Sequence, residues 1–139
     1  MDEATFKNRT KQYGIRAIRL ALELPHSREV NVLVRQLVSS ATSVGANYRS
    51  ACRAKSKPDM VSKMSISEEE CDESLYWLEL IEEVCPAKKN ELRALLKEGD
   101  ELTAMLVSSI KTLKNSPDFK RGMVRERRRS YADLLLNED

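Results

Sequence analysis

Residues 36–57, QLVSSATSVGANYRSACRAKSK, constrain this chain more than any other stretch. Leu37, Ala41, Val44, Tyr48 and Ala51 line one face at helical spacing, and Val30, Leu33 and Val34 extend the stripe backwards. Between them lies a run of small residues: Ser39, Ser40, Ala41, Thr42, Ser43, Gly45 and Ala46. Ser, Thr and Gly each lose a few tenths to about 1 kcal/mol of helix propensity against Ala. A helix with such a middle needs tertiary packing on several sides. The same small side chains let a second helix backbone come close. The stretch ends in Arg49, Arg53, Lys55 and Lys57, so one element joins a tightly packed centre to a basic end.

The rest of the chain keeps the helical period. Helix 1 is placed at about residues 4–24, with Phe6, Tyr13, Ala17, Leu20 and Leu24 in one stripe and Ile15, Ile18 and Leu22 in a second beside it. Pro25 ends it. Ser27 is the expected N-cap of helix 2, with Glu29 in the first turn where a negative charge suits the macrodipole. Helix 2 runs to about Lys55. Ser56-Lys57-Pro58-Asp59 marks the next break, with Ser56 as cap and Pro58 tolerated in a first turn. Helix 3 runs to about Val84 and is apolar on two faces. One carries Met60, Met64, Ser67, Cys71, Leu75, Leu78 and Cys85; the other carries Ile66, Tyr76, Trp77, Leu80 and Val84. Either the second face is a subunit contact anchored by Tyr76 and Trp77, or both faces are buried in one monomer. Helix 4 spans about 88–114, with Leu92, Leu95, Leu96, Leu102, Leu106, Ile110 and Leu113 inward and Gly99 inside it as a mark of close helix approach.

Short loops make sequential helices antiparallel. The fold class is therefore all-α: an up-down-up-down four-helix bundle over residues 1–115, followed by a tail at 116–139. The tail carries Arg125, Arg127, Arg128 and Arg129, then Tyr131, Leu134, Leu135 and Leu136, then an acidic end. It is either disordered or an extra helix that docks on a neighbour.

Little in the composition points to catalysis. The single histidine, His26, sits in a turn, and there is no glycine-rich phosphate loop or nucleophile elbow. The acidic run Glu68-Glu69-Glu70-Cys71-Asp72-Glu73 lacks the histidine that follows Glu at i+3 in di-metal bundles. No enzyme activity, cofactor or metal is expected. Three cysteines without C-x-x-C spacing suggest a reduced cytoplasmic protein. No apolar run approaches the ~20 residues of a membrane span.

The charge distribution says more than the net charge of +2. Residues 5–57 carry eleven Lys/Arg against two Glu, and residues 58–84 carry nine Asp/Glu against one Lys. Lys7, Lys11, Arg16, Arg19, Arg35, Arg49, Arg53, Lys55 and Lys57 all come from helices 1 and 2 and the turn that follows. A clustered patch of this kind is what phosphate binding requires. The alternative is that these charges solvate helix faces or pair with acidic helix 3, with Glu70 or Glu73 turned toward Arg49 or Arg53.

LPHSREVNVLVRQLVSSATSVGANYRSACRAKS, followed by SEEECDESLYWLELIEE, resembles the four-helix-bundle proteins encoded in intervening sequences of bacterial 23S rRNA genes. The segments SATSVGANYR and YWLEL carry the resemblance, which covers about Phe6 to Lys114. It implies a homopentamer around a central channel, and the family is similar to accessory proteins of diversity-generating retroelements. Those bind nucleic acid and a reverse transcriptase through basic surfaces. The resemblance implies fold or assembly roles for Gly45, Asn47, Tyr48, Arg49, Tyr76 and Trp77, and supplies no catalytic residue.

The expected function is a non-enzymatic, pentameric accessory protein that binds RNA or DNA mainly by phosphate contacts. The candidate contacts are Arg16, Arg19, Arg35, Arg53, Lys55 and Lys57, with Arg127, Arg128 and Arg129 as a basic arm. The alternative is an assembly scaffold whose ring and tail dock a protein partner, with no nucleic-acid role.

Overall fold

A computed structural model of the protein describes residues 2–137. Its elements are α1 (Glu3–Glu23), α2 (Arg28–Cys52), α3 (Lys57–Val84), a 3-10 turn (Pro86–Lys88), α4 (Lys89–Lys114) and α5 (Pro117–Leu136). The caps are local, and those of α2 and α3 fall on the expected serines. The side chain of Ser27 accepts from the Val30 N–H, that of Ser56 from Asp59, and that of Ser116 from Phe119, each at 3.2 Å. Each satisfies one of the amide donors that a helix start leaves free. Helix 2 ends at Cys52, three residues before the expected Lys55. Ser56 must be extended (φ −148°, ψ 163°) to cap α3, so the chain unwinds before it.

α1 packs against α2 and α4, and α3 against α2 and α4, which closes the antiparallel four-helix bundle. Leu37, Ala41, Val44, Tyr48 and Ala51 are all buried, as the period demands. Small residues set the spacing of α1 and α2. A Cβ on Gly45 would stand 3.3 Å from the Thr10 carbonyl carbon, with no flexible side chain in between to yield. Across the bundle, Ser74 Oγ donates to Cys71 O at 2.5 Å, so the Tyr13 hydroxyl donates to Ser74 Oγ at 2.6 Å. Cys71 Sγ in turn reaches Gly99 O. Burial pushes the Cys71 thiol up to about 11, so it behaves as a small apolar group rather than a nucleophile.

The interhelical ion pairs differ from the expected one. Arg9 of α1 reaches α4, with Nε 2.7 Å from Glu98 and Nη2 2.5 Å from Glu101. Arg49 and Arg53 do not pair with Glu70 or Glu73. Ser67 Oγ donates to Val44 O at 2.7 Å, which puts residue 67 level with residue 44. In an antiparallel pair Glu70 is then level with Ala41, eight residues and about 12 Å along the axis from Arg49. Glu73 instead accepts from Trp77 Nε1 at 3.2 Å.

Glu70 is left half-buried without a cation, and its carboxyl is held above the ordinary range, first by burial and then by Glu73 and Glu69. A carboxyl raised in the folded state favours folding when protonated and loses that contribution as pH rises through its folded pKa. Glu70→Gln should therefore stabilise the protein at pH 7. Relief of like charges one turn apart is worth a few tenths of a kcal/mol, or about 1 °C. The gain should be gone by about pH 3, below the ordinary glutamate range, where the carboxyl is protonated both folded and unfolded. Thermal melts at both pH values check this; a variant less stable than wild type at pH 7 contradicts it.

The second apolar face of α3 is not buried in the monomer. Tyr76 is 53% exposed and Val84 57%, Ile66 is also exposed, and Trp77 is half-buried with its ring edge-on to Tyr76. The second stripe of α1 is likewise partly open, with Leu22 73% exposed. The tail forms α5. None of its side chains is buried, although Phe119 packs against the core.

Candidate nucleic-acid interface

α1 and α2 approach closely where Gly14, Thr42, Gly45 and Ala46 face each other, and the outer side of that contact is a groove. Ile15 and Ile18 form its apolar floor, and Lys7, Lys11, Arg49 and Arg53 form its rim. The cavity is about 480 Å³. The groove continues toward the other end of the bundle past Leu22, Val34 and Val38, with Arg35 and His26 at the side. The rim cations come from two antiparallel helices. Gly45 lies against Thr10 and Lys11, so in this antiparallel pair Lys7 is level with Arg49, while Lys11 and Arg53 lie about one turn to either side and the four charges run along the groove.

The candidate cations fall into four groups. Arg35 and Arg53 line the α1–α2 groove. Arg16 and Arg19 lie on another side of α1, in the α1–α4 groove beside Glu23 and Glu91. Lys55 and Lys57 occupy the α2–α3 turn at the bundle end, where α5 crosses. Arg127, Arg128 and Arg129 lie on the exposed shaft of α5. Helix periodicity could not separate Arg16 from Lys11, because which side of α1 faces α2 is settled only by packing. Arg121 and Arg125 join the basic surface at the bundle end and were not among the candidates; no local signal places a tail helix there.

The distribution of ion pairs is selective. Within 4.0 Å and among the described residues, the paired cations are Lys7, Arg9, Lys63, Lys88, Arg93 and Arg121. None of the nine candidate contacts is among them. Acidic α3 pairs with its own Lys63 and with Arg93 of α4, not with the basic helices. Of the residues implied in assembly, Gly45 lies against α1 and Tyr48 is buried with its ring edge-on to Phe6 at 4.6 Å. Asn47 donates to Ser43 O within its own helix. Arg49, Tyr76 and Trp77 remain accessible.

Among the described residues no group of three or more His, Cys, Asp or Glu side chains could hold a metal ion. No described helix is long and apolar enough to cross a membrane.

Fold and surface together define a helical-bundle protein with a cationic groove between its first two helices. Residues 3–108 match the family model described as 23S rRNA-intervening sequence protein, and the chain belongs to that family. It is also similar to a protein of unknown function from the S23 ribosomal protein family of Bacteroides thetaiotaomicron, whose crystal structure was determined at 1.70 Å resolution. That structure is 29% identical with a TM-score of 0.71, and the match covers 76% of this chain and 98% of that one. No curated protein matches the sequence. Neither matching description names a catalytic activity.

Proposed function

We propose that this protein is a non-enzymatic accessory protein that assembles with copies of itself and binds nucleic acid through basic helix faces, largely by phosphate contacts. The observation that carries this reading is the set of candidate cations left without an acidic partner, although acidic α3 belongs to the same bundle. Exposed cations that find no internal partner are available to replace the counterions of a phosphate backbone. The few aromatic side chains near the groove favour backbone contact over base stacking. The partly exposed α3 face of Ile66, Tyr76 and Val84 supports self-assembly, and a five-membered ring is the state the resemblance implies. A ring would repeat the groove around its circumference and multiply the field.

The test is the affinity of purified protein for labelled RNA and DNA across a salt series, with oligomeric mass measured in the same buffer. The expected result is a steep loss of affinity with salt, each phosphate contact contributing a slope of about 0.7–0.9 in log K against log salt. No binding at low salt from a correctly assembled protein overturns the reading.

A second reading, a scaffold that docks a protein partner, has one observation in its favour. Tyr131, Leu134, Leu135 and Leu136 of α5 are 62–77% exposed. A truncation after Asn115 that keeps every partner in a pull-down removes it.

A further inference from the structure

We infer that α5 builds a second phosphate-binding site. Its first half closes a cationic basin over the α2–α3 turn, and this basin takes the sugar-phosphate backbone of a nucleic acid that also lies in the α1–α2 groove. The inference rests on the nucleic-acid reading above and locates a part of it that the family match does not reach, since that match ends at residue 108.

Three contacts dock α5 rather than leave it a loose arm. Phe119 packs against the core. Gly122 lies directly on Pro58, where an added Cβ would stand 2.6 Å from Cδ and 2.8 Å from Cγ of the proline ring. Ser56 Oγ donates to Glu126 Oε1 at 3.3 Å. Glycine inside a helix is disfavoured by roughly 1 kcal/mol, and here it is the residue that lets the helix sit on the ring.

The docked helix, the end of α2 and the turn enclose a cavity of about 630 Å³. Its charged lining is Lys55, Lys57, Arg121 and Arg125 against Glu3 and Asp118. Both acids are already matched within the chain, Glu3 by Lys7 and Asp118 by Arg121. Lys55, Lys57 and Arg125 have no acidic partner within 4.0 Å among the described residues. Three unmatched cations around one mostly polar basin suit a ligand with regularly spaced negative charge. The basin adjoins the α1–α2 groove. Glu3 lines one and Lys7, a turn along α1, the other, while Arg53 and Lys55 flank the same turn. Beyond Arg125, Arg128 and Arg129 continue the same face of α5 at i+3 and i+4.

Gly122→Leu tests the geometry without removing a charge, because the larger side chain must push α5 off Pro58. Affinity of the full chain for a labelled single-stranded RNA should fall about fivefold or more, and the salt slope should drop by about 2. A second variant, Lys57→Gln with Arg125→Gln, leaves the Gly122–Pro58 packing intact and should show the same losses. Adding Gly122→Leu to it should change little further. Unchanged affinity and slope in either variant overturn the inference. So does full additivity of the two, which would mean that the cations act as a loose arm. If wild type itself fails to bind at low salt, the nucleic-acid reading falls. If wild type binds, Arg49→Glu with Arg53→Glu weakens it and Gly122→Leu does not, only the basin falls.

Discussion

Gly99→Val should lower the stability of the bundle by about 2–3 kcal/mol, the range expected for overpacking a well-filled core. A Cβ at this position would stand 2.5 Å from Leu75 Cδ2 and 2.7 Å from the Tyr13 hydroxyl oxygen. Leu75 is buried, and Tyr13 is fully buried and tied to Ser74, so neither side chain can swing into solvent. Displacing Tyr13 also breaks its bond to Ser74 and leaves a buried hydroxyl unsatisfied, which costs about 1–3 kcal/mol by itself. The gain in helix propensity on replacing glycine offsets less than 1 kcal/mol. For a chain of this size the melting temperature should fall by about 5–10 °C. Gly14→Ala supplies the contrast, since its Cβ would meet neighbours at 3.4 Å and beyond, an ordinary contact. Thermal or urea melts of the two variants decide the matter; equal stability of Gly99→Val and wild type would mean that α4 shifts to admit the side chain.

Reversing Arg49 and Arg53 to Glu should weaken nucleic-acid binding more than reversing Arg16 and Arg19. Arg49 and Arg53 share the α1–α2 groove with Lys7 and Lys11. Arg16 and Arg19 stand beside Glu23 and Glu91, which already reduce the local field. Loss of two phosphate contacts should flatten the salt slope by about 2, and the introduced repulsion should lower affinity by at least about tenfold at low salt. The Arg16/Arg19 pair should change the slope by less than one. The measurement is a salt titration of both double variants against the same labelled RNA. The opposite ranking would move the site to the α1–α4 side of the bundle. The Arg16/Arg19 variant should retain the wild-type melting temperature, because neither side chain is in an ion pair or buried. The Arg49/Arg53 variant places negative charge at the C-terminal end of α2 and should melt a few degrees lower.

Much of the fold is legible because it is local. The helix stops and starts of the bundle follow from Pro25, Ser27 and Ser56, each acting on backbone groups within three residues, whereas Ser116 caps a tail helix that the sequence leaves open. The core stripe of α2 follows from the 3.6-residue period. Gly99 could be picked out as a close approach, although its partners Tyr13 and Leu75 could not be named from spacing. The basic composition of helices 1 and 2 is also a sequence property. Its division among the α1–α2 groove, the α1–α4 groove and the bundle end is not.

That division was decided by tertiary structure. Arg9 and Arg16 are seven residues apart on nearly the same side of α1, yet only Arg9 meets Glu98 and Glu101, because α4 brings those carboxylates to its level. Arg49 and Glu70 have opposite charges on adjacent antiparallel helices, yet the register set by Ser67 and Val44 holds them about two turns apart. The tail shows the same limit. Its helical conformation is within reach of local propensity, but its docking depends on Gly122 meeting Pro58, sixty-four residues away in the chain. The sequence alone determined that the four bundle segments are helices, where most of them stop and which faces are apolar, because those depend on neighbours along the backbone. It left the tail open between disorder and a helix and placed the end of α2 three residues late. Which charges meet, which remain free and where α5 lies depend on helix register and approach, and only packing sets these.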